Sequence, residues 1–291
     1  MLRRSVNRIF SPEEFQAECE NLRLQGKTIG LVPTMGALHD GHRQLIKMAR
    51  DQCNIVAVSI FVNELQFDNP VDLEKYPRII DKDLEITSSL GVDLVFTPEP
   101  DDMHPRPILF HLEVDHLGDI LEGASRPGHF AGVVTVVAKL FTLAGRCRAY
   151  FGEKDFQQLA IISRMVEEMH FPIEIVPVPI VRDASGLALS SRNLRLNSEQ
   201  LKSARSLSRA LFAASDAIRG GEKDVMKIED LMARELGREI NGIAKSNQPV
   251  LDYALVVDSH TLAEPEQIDG PVRLVVAARV GDVRLIDNIG V

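Results

Sequence analysis

A short apolar segment, a turn containing glycine and a helical pattern follow one another within residues 28–52. This succession is the strongest constraint on the fold. Residues 28–32 (TIGLV) are typical of a buried strand, and residues 42–52 (HRQLIKMARDQ) carry apolar side chains at helical spacing. The turn between them, residues 33–42 (PTMGALHDGH), contains Gly36 and Gly41, which let a ligand approach the backbone closely. The segment therefore predicts a strand-to-helix connection of an α/β protein.

Two histidines, His39 and His42, stand at the predicted start of that helix. A helix N-terminus offers unpaired amide donors and the positive end of the helix dipole, so phosphate binds there readily. Two imidazoles three residues apart can both donate to the charge that develops on a phosphate oxygen during adenylyl transfer. The H-x-G-H pattern thus indicates nucleotidyl transfer, although an isolated H-x-x-H pair is more often polar surface. Zinc binding is disfavoured because the sequence has neither H-E-x-x-H nor C-x-x-C spacing.

Length and composition narrow the class of protein. A chain of 291 residues with 45% hydrophobic residues favours two domains with substantial cores. No apolar run is long enough to span a membrane, and the N-terminal residues lack the features of a signal peptide, so we expect a cytoplasmic protein. Three scattered cysteines suit reduced thiols. The net charge of −9 and the absence of tryptophan argue against nucleic acid as a partner.

Residues 1–181 alternate between strand and helix patterns, which predicts a Rossmann-like, doubly wound parallel sheet. The predicted strands are 28–32, 55–62, 93–96, 148–151 and 174–178, and the predicted helices are 42–52, 81–90, 132–142 and 156–169. The pattern changes near residues 181–192. Beyond it we predict helices at 198–219 and 224–243, apolar strands at 251–257 and 272–280, and a hairpin return at 283–287. We therefore expect a smaller α+β domain over residues 182–291.

Four polar segments each follow a predicted strand: residues 33–42, 63–67, 152–158 and 182–192. Carboxyl ends of parallel strands share one edge of the sheet, where open α/β proteins bind ligands. We therefore expect the four segments to gather around one ligand.

The polar residues in these segments also have ordinary explanations. Lys154 could neutralise a triphosphate or be a solvated charge, and Asp155 with Gln158 could form a capping box instead of binding substrate. Arg192 can fork onto phosphate oxygens, but a polar interdomain loop has similar composition. Gln66 suits a small hydroxy acid, yet glutamine is common in polar loops.

Five blocks occur in the order and spacing of the pantothenate synthetase (pantoate-beta-alanine ligase) family. They are PTMGALHDGH, FVNELQF with the following KYPR, RPGHFAGVVTVVAKLF, YFGEKDFQQ and LALSSRN. The chain resembles this family over essentially its whole length. The resemblance implies a Rossmann-like sheet of the nucleotidyltransferase type and ATP-dependent condensation of pantoate with beta-alanine. It further implies a pantoyl adenylate intermediate, release of AMP and pyrophosphate, a requirement for Mg²⁺, and a homodimer formed through the first domain.

The resemblance also implies roles for individual residues. His42 would act as proton donor toward the phosphate with help from His39, Gln66 and Gln158 would bind pantoate, and Asp83 would assist a Mg²⁺ held mainly through phosphates. Lys154, Ser190, Ser191 and Arg192 would face the phosphates as catalytic groups. The implied ATP-binding residues are Met35, Gly36, Ala37, Leu38, His39, Asp40, Gly41, His42, Gly152, Glu153, Lys154, Asp155, Val181, Leu189, Ser190, Ser191 and Arg192.

Two positions depart from the family pattern: Glu64 stands where proline is usual, and Lys82 stands where an acidic residue is frequent. Two other function classes stay open at this point. One is a nucleotidyltransferase that leaves a nucleotide on its product. The other is a nonenzymatic nucleotide sensor. The number of charged groups in the predicted site argues against the sensor, because binding alone needs fewer.

Overall fold

The computed structural model describes residues 6–68, 70–238 and 240–291. Two compact units make up this part of the chain. The first runs to Glu153 and resumes over Gln157–Pro179, and the second comprises Lys154–Phe156 and Ile180–Val291.

The first unit is built on a parallel sheet with helices between its strands. Its strands are β1 (Asn7–Ile9), β2 (Ile29–Thr34), β3 (Ile55–Ile60), β4 (Leu94–Phe96), β5 (Cys147–Gly152) and β6 (Ile173–Val178). The helices along this part of the chain are α1 (Pro12–Leu24), α2 (Asp40–Gln52), α3 (Pro70–Glu74), α4 (Ile80–Ser89), α5 (Pro100–Met103), α6 (Glu122–Ser125), α7 (His129–Ala144) and α8 (Phe156–Glu168). The strand order is β1-β4-β3-β2-β5-β6, with every pair parallel.

The direction of winding reverses at β2. From β2 the chain moves to β3 and β4 on one side, and later to β5 and β6 on the other. Because crossovers are right-handed, opposite directions of winding place their helices on opposite faces of the sheet. The predicted α/β, doubly wound sheet is therefore confirmed. The reversal lies between the carboxyl ends of β2 and β5, the position where such sheets bind ligands.

Close packing of α2 on β2 leaves little room for a side chain at Gly30. A Cβ on Gly30 would lie 3.1 Å from Ala49 Cβ and 3.2 Å from a ring carbon of Tyr150. Val32, two residues further along β2, is fully buried in the same cluster as Ile46 of α2. This packing fixes where the helix begins relative to the end of the strand.

The second unit packs two helices on an antiparallel sheet. Its helices are α9 (Ser198–Arg219) and α10 (Val225–Gly237), and its strands are β7 (Pro249–Asp258), β8 (Val272–Val280) and β9 (Val283–Gly290) in the order β7-β8-β9. Asn197 caps α9 through a capping box with Gln200. Leu207, Leu211 and Leu274 belong to the buried core between helices and sheet. The smaller C-terminal α+β arrangement is thus confirmed.

The second helix of this unit is shorter than predicted. The sequence pattern favours helix over residues 224–243, but α10 ends at Gly237, and Arg238 is extended with φ −64° and ψ 116°. Glycine is a weak helix former, and the carboxamide of Gln248 bonds both backbone groups of Ile240 and the carbonyl of Ile243. The side chain of Gln248 therefore holds residues 240–243 outside the helix. Among the described helices, none is long and apolar enough to cross a membrane.

Candidate active site

The turn after β2 has a backbone shape that depends on glycine. Gly36 has φ +82°, and a Cβ there would lie 2.9 Å from Asp83 Oδ2. Ala37 also has a positive φ of 51°, which costs energy for a residue with a side chain. The hydroxyl of Thr34 donates to the carbonyl of Ser59 and accepts from the Gly36 N–H, so the start of the turn is tied to β3.

Asp83 of α4 holds the middle of this turn. Its Oδ2 accepts from the Ala37 N–H at 2.9 Å and its Oδ1 from the Leu38 N–H at 2.8 Å, and Asp83 is 1% exposed. Two hydrogen bonds to a buried carboxylate are strong, so they stabilise the left-handed backbone at Ala37. The structure thus gives Asp83 a contact with the backbone that the sequence did not predict.

His39 and His42 cap α2 reciprocally. The Gly41 N–H donates to Nδ1 of His39 at 3.1 Å, and the His39 N–H donates to Nδ1 of His42 at 3.2 Å. The two ring centroids lie 4.1 Å apart. Since a backbone N–H can only donate, both Nδ1 atoms are acceptors, and each neutral ring carries its proton on Nε2. The caps therefore set the tautomer that makes Nε2 a donor.

A second turn presents Gln66. It is a 3-10 turn over Glu64–Gln66, and the carbonyl of Gln66 accepts from Arg126 Nη2 at 3.2 Å and lies 2.7 Å from Nδ1 of His129. Gly132 of α7 allows the turn to pack closely, since a Cβ there would lie 2.2 Å from the Leu65 carbonyl oxygen. The RPGHFAG block therefore supports the turn that carries Gln66.

The carboxamide of Gln66 has a defined orientation. Its Oε1 accepts from Asn63 Nδ2 at 3.0 Å, and its Nε2 donates to the thioether sulfur of Met35 at 2.9 Å. Met35 belongs to the histidine turn, so this contact brings the two turns of the first unit together. Asn63 was not predicted as a site residue, although it stands within the FVNELQF block. Glu64 pairs with Arg106, which balances its charge.

The segment after β5 contains two glutamines with different surroundings. Gln157 is buried, accepts from the Glu122 N–H at 2.9 Å and donates to the carbonyls of Leu117 and Ile120, both at 2.8 Å. Gln158 is half-buried. The first glutamine of this motif thus holds a loop, a role that the sequence pattern did not predict, and the second remains the predicted pantoate contact.

In the second unit, Lys154, Ser190 and Arg192 line one pocket together with Asn193, Arg284 and Asp287. The hydroxyl of Ser190 accepts from the Arg192 N–H at 3.3 Å and caps the 3-10 turn Ser191–Arg195. The Lys154 side chain is 18% exposed, and its Nζ lies 3.4 Å from an oxygen of Asp155. The carbonyl of Val181 accepts from the Leu189 N–H at 2.9 Å. The lining includes several cations, as an anionic ligand requires.

A buried ion pair supports one wall of this pocket. Arg182 contacts both oxygens of Asp287 at 2.5 and 2.9 Å, and Asn288 Nδ2 donates to the Lys154 carbonyl at 2.9 Å. Burial raises the pKa of Asp287, and the hydrogen bond and charge of Arg182 act against that rise. Removing either partner would leave an uncompensated buried charge, which is strongly destabilising.

The predicted site residues therefore form two groups. The first unit brings Met35, Gly36, Ala37, Leu38, Asp40, Gly41 and both histidines to one turn and joins Gln66 to it. The second unit gathers Lys154, Ser190 and Arg192 around its pocket. Within residues 6–68, 70–238 and 240–291, no group of three His, Cys, Asp or Glu side chains is placed to hold a metal ion.

The chain is similar over nearly its whole length to proteins of one known family. A model of the pantoate-beta-alanine ligase family matches residues 7–290. The pantothenate synthetase of Aquifex aeolicus is 48% identical over 271 residues, covering 92% of this chain and 93% of that protein. The pantothenate synthetase of Moorella thermoacetica is 47% identical over 267 residues, covering 92% of each.

Solved structures give the same result. The crystal structure of pantothenate synthetase from Thermus thermophilus has a TM-score of 0.88 and 39% identity, covering 98% of this chain and 99% of that one. The pantoate-beta-alanine ligase of Francisella tularensis, complexed with beta-gamma ATP and beta-alanine, has a TM-score of 0.77 and 33% identity, covering 98% and 97%.

Proposed function

This chain belongs to the pantoate-beta-alanine ligase family, which forms pantothenate from pantoate and beta-alanine, and we propose that ATP drives the condensation through a pantoyl adenylate. In the first step a carboxylate oxygen of pantoate attacks the α-phosphorus of ATP, and the bond to pyrophosphate breaks. In the second step the amine of beta-alanine attacks the acyl carbon, AMP leaves, and the amide of pantothenate forms. The Francisella relative, complexed with beta-gamma ATP and beta-alanine, supports this assignment.

The reciprocal cap of His39 and His42 is the observation that carries the proposal. Both rings hold Nδ1 as an acceptor, so each presents Nε2–H as a donor at the first turn of α2. The turn lies at the end of β2, beside the reversal of the sheet. Donors fixed before the reaction stabilise the charge that develops on phosphate oxygens in the transition state. We assign His42 as the donor to the phosphate and His39 as its support.

The first step needs no general base. A carboxylic acid with a pKa of about 4 is already ionised near neutral pH, so positioning and neutralisation of charge are the main requirements. We assign Gln66 and Gln158 to pantoate. The assigned ATP contacts are residues 35–42 and 152–155 together with Val181 and residues 189–192.

Lys154, Ser190, Ser191 and Arg192 are assigned to the phosphates. The pocket of the second unit supports this, since Lys154 and Arg192 both line it. A guanidinium donates two parallel hydrogen bonds to phosphate oxygens, and an ammonium supplies a compact charge. We propose that these groups and the histidines of the first unit act on the same ATP.

The described residues do not fit a magnesium site made by the protein. No cluster of three ligands is placed for it within those residues, and both oxygens of buried Asp83 accept backbone hydrogen bonds. Mg²⁺ commonly enters nucleotide sites through phosphate oxygens and water, with few protein ligands. We therefore route no step through a metal bound to the protein. The homodimer remains what the family resemblance implies, and the cytoplasmic location remains a prediction from the sequence.

Exchange of labelled pyrophosphate into ATP tests the adenylate. We expect exchange that requires pantoate and proceeds without beta-alanine, because only the first step is reversed. Exchange at the same rate with and without pantoate would contradict the proposal. A stable product that carries a nucleotide would favour a nucleotidyltransferase, and ATP binding without turnover would favour a sensor.

A further inference from the structure

A buried hydrogen-bonded chain leads from Lys139 to Gln66 within the first unit. Lys139 Nζ lies 3.1 Å from Nδ1 of His104, and Nε2 of His104 lies 2.9 Å from Oδ1 of Asn63. Asn63 Nδ2 then donates to Oε1 of Gln66. His104 is 0% exposed and Asn63 is 1% exposed, so solvent does not replace these contacts.

The backbone carbonyl of Gly132 determines the direction of the hydrogen bonds from His104 to Gln66. Asn63 Nδ2 also contacts the carbonyl of Gly132 at 3.0 Å, and a carbonyl can only accept, so the NH₂ end of Asn63 must face Gly132 and Gln66. Its oxygen therefore faces His104, and Nε2 of His104 must carry the proton.

The other end of the chain agrees with this assignment. Lys139 Nζ donates to the carbonyl of Met103 and, being an ammonium, can only donate to Nδ1 of His104. His104 is therefore neutral with its proton on Nε2. Burial, together with the positive charges of Lys139 and Arg106, lowers the pKa of His104 to about 4. Burial also lowers the pKa of Lys139.

The consequence reaches the substrate side of Gln66. Because Asn63 donates to Oε1, the Nε2–H₂ group of Gln66 must point away from Asn63, and here it donates to the Met35 sulfur. A thioether is a weak acceptor, so an oxygen of a substrate would be the better partner. We propose that His104 is a positioning residue that, through Asn63, holds the Gln66 carboxamide with its N–H donors toward a carboxylate or hydroxyl oxygen of pantoate.

This inference rests on the proposed function, because it assigns Gln66 to pantoate. It differs from a general structural role for a buried histidine in one measurable way. If His104 acts through Gln66, its loss matters for pantoate only while Gln66 is present. A residue that merely stabilises the first unit would affect ATP and pantoate alike, and its effect would persist without Gln66.

The test is a double-mutant cycle on pantothenate formation with the full chain. We expect His104→Phe to raise the KM for pantoate about tenfold, the effect of losing roughly one hydrogen bond, with the KM for ATP within twofold. His104→Gln keeps an amide N–H near the position of Nε2 and should stay within about threefold of the wild type. In a Gln66→Ala background, His104→Phe should change the KM for pantoate by less than twofold.

His260→Phe is the matched control, since it makes the same change at an exposed histidine of the second unit. If His104→Phe does not fold by circular dichroism, His104→Leu replaces it in the same cycle, because leucine also removes the Nε2–H donor to Asn63. Additive effects of the two changes, or equal rises in the KM for ATP and pantoate, would overturn the inference. A wild-type chain that forms no pantothenate would instead reject the proposed function itself.

Discussion

The backbone N–H of His39 donates to Nδ1 of His42 at 3.2 Å, so one ring nitrogen of His42 caps a helix while the other is set as a donor. The two nitrogens therefore have separable tasks: Nδ1 caps the helix, and Nε2 is the donor that we propose acts on the phosphate. Substitutions that keep one nitrogen's hydrogen bond and remove the other can distinguish them.

We predict that His42→Ala and His42→Asn slow adenylate formation by similar factors of about a hundred or more, the effect of losing one transition-state donor. Asparagine can still accept from the His39 N–H, so only the alanine variant should also lose about 1 kcal/mol of stability from the missing cap. Single-turnover formation of labelled pyrophosphate measures the rate, and urea denaturation measures the stability. An asparagine variant with normal adenylation would remove His42 from catalysis.

Asp83 has two possible roles that an experiment can separate. It could bind a metal ion, or it could hold the histidine turn in place. We predict that Asp83→Asn raises the KM for ATP at least tenfold, because an NH₂ group then faces one of the two backbone N–H donors. The Mg²⁺ concentration for half-maximal activity should stay unchanged. Steady-state rates over a matrix of ATP and Mg²⁺ concentrations measure both quantities.

Asp81→Asn is the control for this experiment, since Asp81 is an exposed carboxylate at the start of the same helix. It should leave both quantities near those of the wild type. A large rise in the Mg²⁺ requirement of Asp83→Asn, with KM for ATP unaffected at saturating Mg²⁺, would restore Asp83 as a metal ligand.

Lys154 lines the pocket of the second unit with most of its side chain covered. We predict that Lys154→Met lowers kcat/KM for ATP about a hundredfold, because an ammonium that neutralises phosphate charge is lost while the side-chain volume is kept. Lys223→Met is the control, since the Lys223 ammonium is exposed and paired with Asp269. Initial rates at varied ATP measure the effect, and an unchanged kcat/KM would make Lys154 an ordinary surface lysine.

Periodicity and turn residues predicted most of the fold because they report local constraints. The pattern over residues 198–219 coincides with α9, and the apolar run 272–280 coincides with β8. The pattern failed at Arg238 and over residues 240–243, and the side chain of Gln248 holds the backbone of residues 240–243 outside the helix. An amphipathic pattern cannot predict that contact, although it joins residues close together in sequence, because a glutamine in a polar loop has no periodic signal.

The candidate site was less predictable because its support comes from distant parts of the chain. His104 reaches Asn63 across 41 residues, and Asp83 reaches Leu38 across 45. A single histidine before a proline does not stand out in sequence, and Asp83 does so only through the family resemblance, which implied a different role for it. In the folded chain, Asp83 lies beside the histidine turn and His104 lies beside the turn that carries Gln66. Their hydrogen-bond partners therefore become evident only from the structure.

The low pKa of His104 predicts that the free energy of unfolding depends on pH. Burial, with Lys139 and Arg106, places this pKa at about 4 in the folded chain, against an ordinary value of about 6.5 for a solvated imidazole. The groups that face the ring are Lys139, Asn63 and the Phe61 ring, whose centroid lies 5.7 Å away. At a pH between these two values, His104 is protonated in the unfolded chain and neutral in the folded chain. The stability contribution is therefore complete above about pH 6.5 and decreases as the pH falls toward 4.

Chemical denaturation at pH 7.5 and pH 5 measures this loss. From the two pKa values we expect the wild type to lose about 2 kcal/mol more free energy of unfolding than His104→Gln over that interval. Glutamine does not titrate, so the other acidic and basic groups of the chain cancel in the comparison. Equal losses in the two proteins would mean that His104 accepts a proton in the folded state. In that case Nδ1 could no longer accept from Lys139, and only the hydrogen bond from Nε2 to Asn63 would remain as described.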